Sequence, residues 1–202
     1  MSSFPAIRPL ILASSSPRRQ ELLREAGYCF EVIPPREHVE SSPQPDEPVE
    51  LAVQRLACEK AADVAAGRTS GLVLAADTLV ECDRELIGKP TSREDARRIL
   101  QRLAGRSHRV LTGICLWDVA RGWQRQAFDE TWLEMCELTP QALEDYLDSE
   151  RWRGKAGAFG YQDANDWVRI VRGSESNVVG LPLELFAALL ASCPADGASP
   201  IQ

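Results

Sequence analysis

The sequence predicts an α/β protein built on a mixed, twisted sheet with flanking helices. Short apolar runs alternate with 3.6-residue apolar periods along the first third of the chain. Proline or serine stands just ahead of each helical period, and glycine follows the first two. Two long extended runs then meet around Ala120-Arg121-Gly122, which adds an antiparallel hairpin to the early β-α-β units.

Leu10-Ile11-Leu12-Ala13 reads as a buried strand, followed by a polar turn at Ser14-Ser15-Ser16. Pro17 suits the first turn of a helix whose body runs from Arg18 to about Ala26 and stops at Gly27. Tyr28 to Ile33 is a second strand, Pro34 to Asp46 a proline-rich loop, and Pro48 opens a long helix to Ala66 before Gly67. The apolar run Leu72 to Ala76 ends in Asp77, continues extended through Glu81 and enters a hairpin at Asp83-Arg84. Ser92 with Asp95 resembles a capping box for a helix to Leu103. Arg109 to Val119 and Gly122 to Leu138 are the long strands. Thr139-Pro140 starts a helix ending near Asp148, and a glycine-rich segment, Gly154 to Gly160, follows. Trp167 to Val171 is a short strand, and Pro182 opens a last helix to about Ser192. No repeat or low-complexity linker divides the chain, so the expected organisation is an N-terminal extension over 1–8, one domain over 9–192 and a frayed tail over 193–202.

With 202 residues, 44% hydrophobic and 26% charged, the chain can bury a core without metal or disulfide staples, and fibrous or wholly disordered classes are excluded. A net charge of −7 repels polyanions, which argues against a nucleic-acid polymer as partner. The N-terminus lacks a basic region followed by a long apolar one, and no apolar stretch approaches a membrane span; the expectation is a cytoplasmic protein with no membrane partner. The six cysteines are widely spaced, with no C-x-x-C pair and only His38 and His108 to join them, so reduced structural thiols are expected rather than a zinc site.

Four patches carry chemistry. Strand, serine turn and helix start at Leu12-Ala13-Ser14-Ser15-Ser16-Pro17-Arg18-Arg19 could cradle phosphate on serine hydroxyls, helix N–H groups and guanidiniums, or could be a capped helix with surface arginines. Lys60 falls in the apolar stripe of Val49, Val53, Leu56 and Val64, so it must reach out to solvent, pair with a carboxylate or meet an anion. Asp77 ends an apolar run, with Lys89 across the hairpin in Ile87-Gly88-Lys89-Pro90; it could hold Mg²⁺ or activate water at a strand end, or bond to a turn. In Lys155-Ala156-Gly157-Ala158-Phe159-Gly160-Tyr161-Gln162, glycines permit close approach, Phe159 or Tyr161 could touch a base, and Gln162 offers the donor and acceptor that a pyrimidine edge requires; a structural loop is the alternative.

Together these stretches resemble the Maf family of nucleoside triphosphate pyrophosphatases. The resemblance also includes Arg55-Leu56-Ala57-Cys58-Glu59-Lys60-Ala61, Ala76-Asp77-Thr78-Leu79-Val80, Leu111-Thr112-Gly113 and Val179-Gly180-Leu181-Pro182-Leu183, in order along the chain. It implies two lobes around a central cleft, as in Maf and ITPase-like folds. It implies hydrolysis between the α and β phosphates of a nucleoside triphosphate, with Mg²⁺ or Mn²⁺. By position, Asp77 is the proton acceptor, while Arg18, Lys60 and Lys89 match the basic groups around the triphosphate, with Ser14, Ser16 and Arg19 also binding substrate. Arg18, Thr78 and Gln162 match members acting on dTTP and UTP; the branch acting on 7-methyl-GTP carries a tryptophan, a glutamine and a glutamate there. A homodimer is also implied.

The chain departs from the family in Pro34-Pro35-Arg36-Glu37-His38-Val39-Glu40, where an acidic pair is expected; Glu40, with Glu37 as the alternative, is assigned beside Asp77 as metal ligand. Tyr161 stands where an aliphatic residue is usual. The expected function is therefore hydrolysis of dTTP, UTP and modified pyrimidine nucleotides. A pyrophosphatase of another base preference and a nucleotide-binding regulator of septum formation without turnover are the competing expectations.

Overall fold

The structure, a computed structural model, describes residues 8–193 apart from 38, 40, 42, 45, 164 and 165. Among these residues seven strands form one sheet: β1 (Leu10–Leu12), β2 (Phe30–Val32), β3 (Leu72–Cys82), β4 (Glu85–Ile87), β5 (Ser107–Asp118), β6 (Trp123–Met135) and β7 (Val168–Arg172). The order is β2-β1-β3-β5-β6-β7, with β4 paired to β3. β1 pairs in parallel with β2 and β3, as β-α-β crossovers require; every other pairing is antiparallel. The helices are α1 (Pro17–Glu25), α2 (Val49–Ala65), α3 (Arg93–Leu103), α4 (Pro140–Asp148), α5 (Glu175–Val179) and α6 (Leu183–Ala191).

The period-2 alternation of β3 distributes its side chains over both faces. Val73 and Ala75 pack with Ala57, Ala61 and Val64 of α2. Leu72, Leu74 and Ala76 pack on the other face with Leu22 and Leu23 of α1 and Phe186 of α6. Further along that second face, Val80 and Cys82 join Leu100 of α3, Leu147 of α4, Trp152 and Phe159. Two lobes thus stand on one face of the sheet, and the apolar row of β3 is interrupted between them at Thr78.

Alanines at 52, 57 and 61 keep the buried side of α2 shallow, and Gly113 lets the helix lie hard against β5. A Cβ at Gly113 would sit 2.2 Å from the carbonyl oxygen of Val53. The expected caps form: Ser92 Oγ accepts from Asp95 N–H at 3.1 Å, and Thr139 Oγ1 from Ala142 N–H at 3.2 Å.

Several boundaries differ from the expectation. β2 is confined to Phe30–Val32, and β6 stops at Met135, paired with the first residue of β7; Cys136 N–H makes one further bond in the same register, to the carbonyl of Trp167. α5 was not anticipated; five residues are too few to show a helical period, and it is held by Ser174, whose Oγ accepts from Asn177 N–H, and by Gly180 at φ 115°. The glycine-rich segment contains one 3₁₀ turn, Ala156–Ala158, and a second, Tyr161–Asp163, follows it. Asp77 does not end a strand, as the sequence suggested, but lies midway along β3.

Candidate functional site

The cleft is a consequence of strand lengths. β1 pairs with β3 only at 72–74 and β4 pairs with it only at 80–82, so residues 75–79 have β5 on one side and no strand on the other among the described residues. At this gap the pleat sends Asp77 toward α2 and Thr78 toward α1 and α5, and both remain reachable from the open edge. The cleft is lined by residues of α1, α2, β3 and the Gly154–Gln162 segment, with Lys89.

Lys60 Nζ meets Asp77 Oδ1 at 2.6 Å and the carbonyl of Ala76, on the unpaired strand edge, at 3.3 Å. Both side chains are almost fully buried. Of the three sequence readings for Lys60, the structure selects the carboxylate pair, and Asp77 is a strand residue rather than a turn residue. Asp77 is the single carboxylate among the described lining residues of the cleft.

On the other face, Arg19 clamps the floor: Nε donates to the carbonyl of Gly180 at 2.7 Å, Nη2 to Thr78 Oγ1 at 3.1 Å and Nη1 to Ser14 Oγ at 3.3 Å. Thr78 and Thr112 hydroxyls lie 3.0 Å apart, and Thr112 donates to the carbonyl of Asn177 at 3.0 Å. Asn177, fully buried, donates in turn to the carbonyl of Val110 and to Thr131. Ser16 is the N-cap of α1 but makes no side-chain bond to its first turn, so the positive end of the helix faces the cleft with its donors uncapped by that hydroxyl.

Arg18 and Lys89 line the cleft and make no hydrogen bond or ion pair to a described residue. Burial lowers the pKa of Arg18, opposed by the nearby Asp163 and Tyr146. A second hollow joins the first at Arg18, Lys60 and Lys89 and extends over Ser14, Ser15, Pro35 and Arg153. Gln162 sits at the rim, exposed, on the Tyr161–Asp163 turn. Glu40 lies outside the described residues; Glu37 is exposed and lines neither hollow. The loop before α2 is tied to that helix by Arg36–Asp63, Ser41–Glu59 and Arg55–Glu47 contacts.

The predicted set Ser14, Ser16, Arg18, Arg19, Lys60, Asp77, Thr78, Lys89 and Gln162 therefore gathers around one cleft. Lys155 and Asp163, which form an ion pair beneath Gln162, were missed as a pair: eight residues separate them, and no local period links them. Fold and cleft define a class, an α/β protein that concentrates cations and a helix N-terminus over one buried carboxylate, suited to a small polyanionic ligand.

The particular family follows from comparison. The chain belongs to the Maf-like protein family, whose model matches residues 9–193. A dTTP/UTP pyrophosphatase of Rhodopirellula baltica is 50% identical over 192 residues, covering 94% of this chain and 84% of that protein. A dTTP/UTP pyrophosphatase of Symbiobacterium thermophilum is 43% identical, covering 91% and 93%. The structure of a HAM1 protein from Coxiella burnetii aligns with a TM-score of 0.49 at 16% identity over 93% of this chain and 100% of that one, a likeness too slight to bear on function.

Proposed function

We infer that the protein is a nucleoside triphosphate pyrophosphatase whose substrates are dTTP and UTP. The observation that carries this reading is the buried Asp77–Lys60 pair at the open edge of β3, under two cations, Arg18 and Lys89, that make no ion pair with a described residue. The names of the relatives supply the nucleotide class.

A triphosphate brings about four negative charges into the cleft, and Arg18, Lys89 and the N-terminus of α1 offset them. Lys60 holds Asp77 through Oδ1 and leaves its second oxygen to receive a proton. Water attacks the α-phosphorus as Asp77 takes its proton; the bond to the bridging oxygen breaks, and pyrophosphate departs from the nucleoside monophosphate. Lys89 and Arg18 take up the charge that develops on the leaving group. Gln162 and Thr78 face the nucleoside end, where the amide can complement the N3–H and O4 of uracil or thymine.

Asp77 also fits a divalent cation, because Mg²⁺ needs only one or two carboxylates beside substrate phosphates; Asp77, the one carboxylate among the described residues of the cleft, would help hold Mg²⁺ or Mn²⁺, which would supply charge neutralisation. No helix among the described residues is long and apolar enough to cross a membrane, and we place the protein in the cytoplasm. The test is pyrophosphate release with Mg²⁺ or Mn²⁺ from UTP, dTTP, CTP, GTP, ATP and 7-methyl-GTP. Turnover confined to UTP and dTTP supports the reading; turnover of 7-methyl-GTP alone overturns the base assignment, and no turnover overturns the activity.

A further inference from the structure

The segment that carries Gln162 is held in an unfavourable backbone shape. Gly157 and Ala158 both adopt positive φ, 73° and 59°, and Ala158 is fully buried with a side chain that resists this conformation. Such a loop persists only where its surroundings enforce it. Gly157 N–H is fastened to the carbonyl of Gly88 at 3.1 Å, and Phe159 meets the edge of His108 at 5.5 Å between centroids.

The other fastening converges on one residue, Asp163. Its carboxylate accepts from Lys155 Nζ in a short ion pair and from the buried Tyr146 hydroxyl at 3.2 Å. Its own carbonyl accepts from Arg151 at 3.2 Å, and its N–H donates to the carbonyl of Gly160 at 3.1 Å. The bridge passes so close to the chain that a Cβ at Gly160 would lie 2.5 Å from both Asp163 Oδ2 and Lys155 Nζ. Gln162, one residue before this anchor, makes no hydrogen bond to a described residue and is free to meet a ligand.

Base discrimination places a demand on that amide. Uracil presents a donor at N3 and an acceptor at O4, whereas cytosine presents the reverse, so an amide free to rotate satisfies either base and one held in a single orientation satisfies only one. We propose that Asp163 is a positioning residue for base recognition, closing the Lys155–Asp163 segment through Lys155 and Tyr146 so that Gln162 is presented in one orientation. This rests on the pyrimidine pyrophosphatase reading. Asp163 touches no reacting atom; it acts through Gln162.

The experiment measures kcat and KM for UTP and CTP with the full chain and with Asp163→Ala, Asp163→Asn and Gln162→Ala, alone and combined, each checked for folding by circular dichroism. In Asp163→Ala the preference for UTP over CTP falls about tenfold, with KM for UTP moving more than kcat, which corresponds to losing one or two oriented hydrogen bonds. Asp163→Asn keeps an acceptor for Tyr146 and shows a smaller fall. In the Gln162→Ala background the same change leaves the ratio where Gln162→Ala alone puts it. Equal loss on both nucleotides, or a further loss of preference in the Gln162→Ala background, would overturn the proposal while leaving the pyrophosphatase reading intact. Inactivity of the unaltered protein on both nucleotides overturns both.

Discussion

Asp77 and Gln162 line the same cleft but are held by opposite means. Asp77 sits midway along an 11-residue strand paired along ten positions with β5, its carboxylate buried against Lys60 of a 17-residue helix. Gln162 is exposed on a single 3₁₀ turn, kept in place by side-chain bonds to Asp163 and by edge packing of Phe159. The group that must be placed within a fraction of an ångström of a reacting atom is built on the central sheet, and the group that selects among substrates is on a fastened loop. The difference predicts that damage to the first wall removes turnover, whereas damage to the second changes which nucleotide is turned over.

The largest effect should come from Asp77→Asn, which keeps shape but removes the proton acceptor; kcat, measured by pyrophosphate release, is expected to fall on the order of a thousandfold, and the thermal unfolding midpoint to drop because buried Lys60 loses its counter-charge, with the native circular dichroism kept. Near-wild-type turnover in that variant would remove Asp77 from the reaction.

His108 tests the fastening of the second wall. It is buried against Phe159, and burial pushes its pKa down to about 4, opposed by the Arg106 backbone. Because the unfolded chain titrates near 6.5, only the unfolded state takes up this proton as pH falls below that value. Stability present above pH 6.5 is therefore lost progressively toward pH 4, by about 3 kcal/mol from this group. Urea unfolding from pH 7 to 4 should show the loss, and His108→Leu should reduce the slope.

Gly113→Ala strikes the first wall through packing. The added methyl would meet the Val53 backbone, so α2 must move off β5, at about 2 kcal/mol in urea unfolding, and turnover should fall because Lys60 rides on that helix. A stable variant with full activity would show that the close approach is dispensable. The smallest effect belongs to Gln162→Ala, where kcat/KM for UTP should drop about tenfold with kcat largely kept, the size expected from two exposed hydrogen bonds.

Much of this arrangement was legible in the residues. The stripe Val49, Val53, Leu56, Val64 marked the buried side of α2 and showed Lys60 to be out of pattern. Ser92 with Asp95 and Thr139 with Pro140 marked helix starts that the caps bear out. Less was visible at short elements: α5 has too few residues to show a period, and the end of β6 depends on its pairing with β7, over thirty residues downstream.

By itself the sequence determined the alternation of strands and helices, the buried faces and the serine turn leading into α1, because each depends on periods and caps spanning a few residues. The tertiary structure alone decided that Lys60 pairs with Asp77, that Arg19 clamps Thr78 and Gly180, and that Lys155 and Asp163 close under Gln162. It also decided where the cleft opens, since the gap at 75–79 exists only because β1 stops at Leu12 while β3 runs on to Cys82. Those facts concern which segments meet and where one strand outlasts its neighbour, and they arise when apolar faces are buried together in three dimensions.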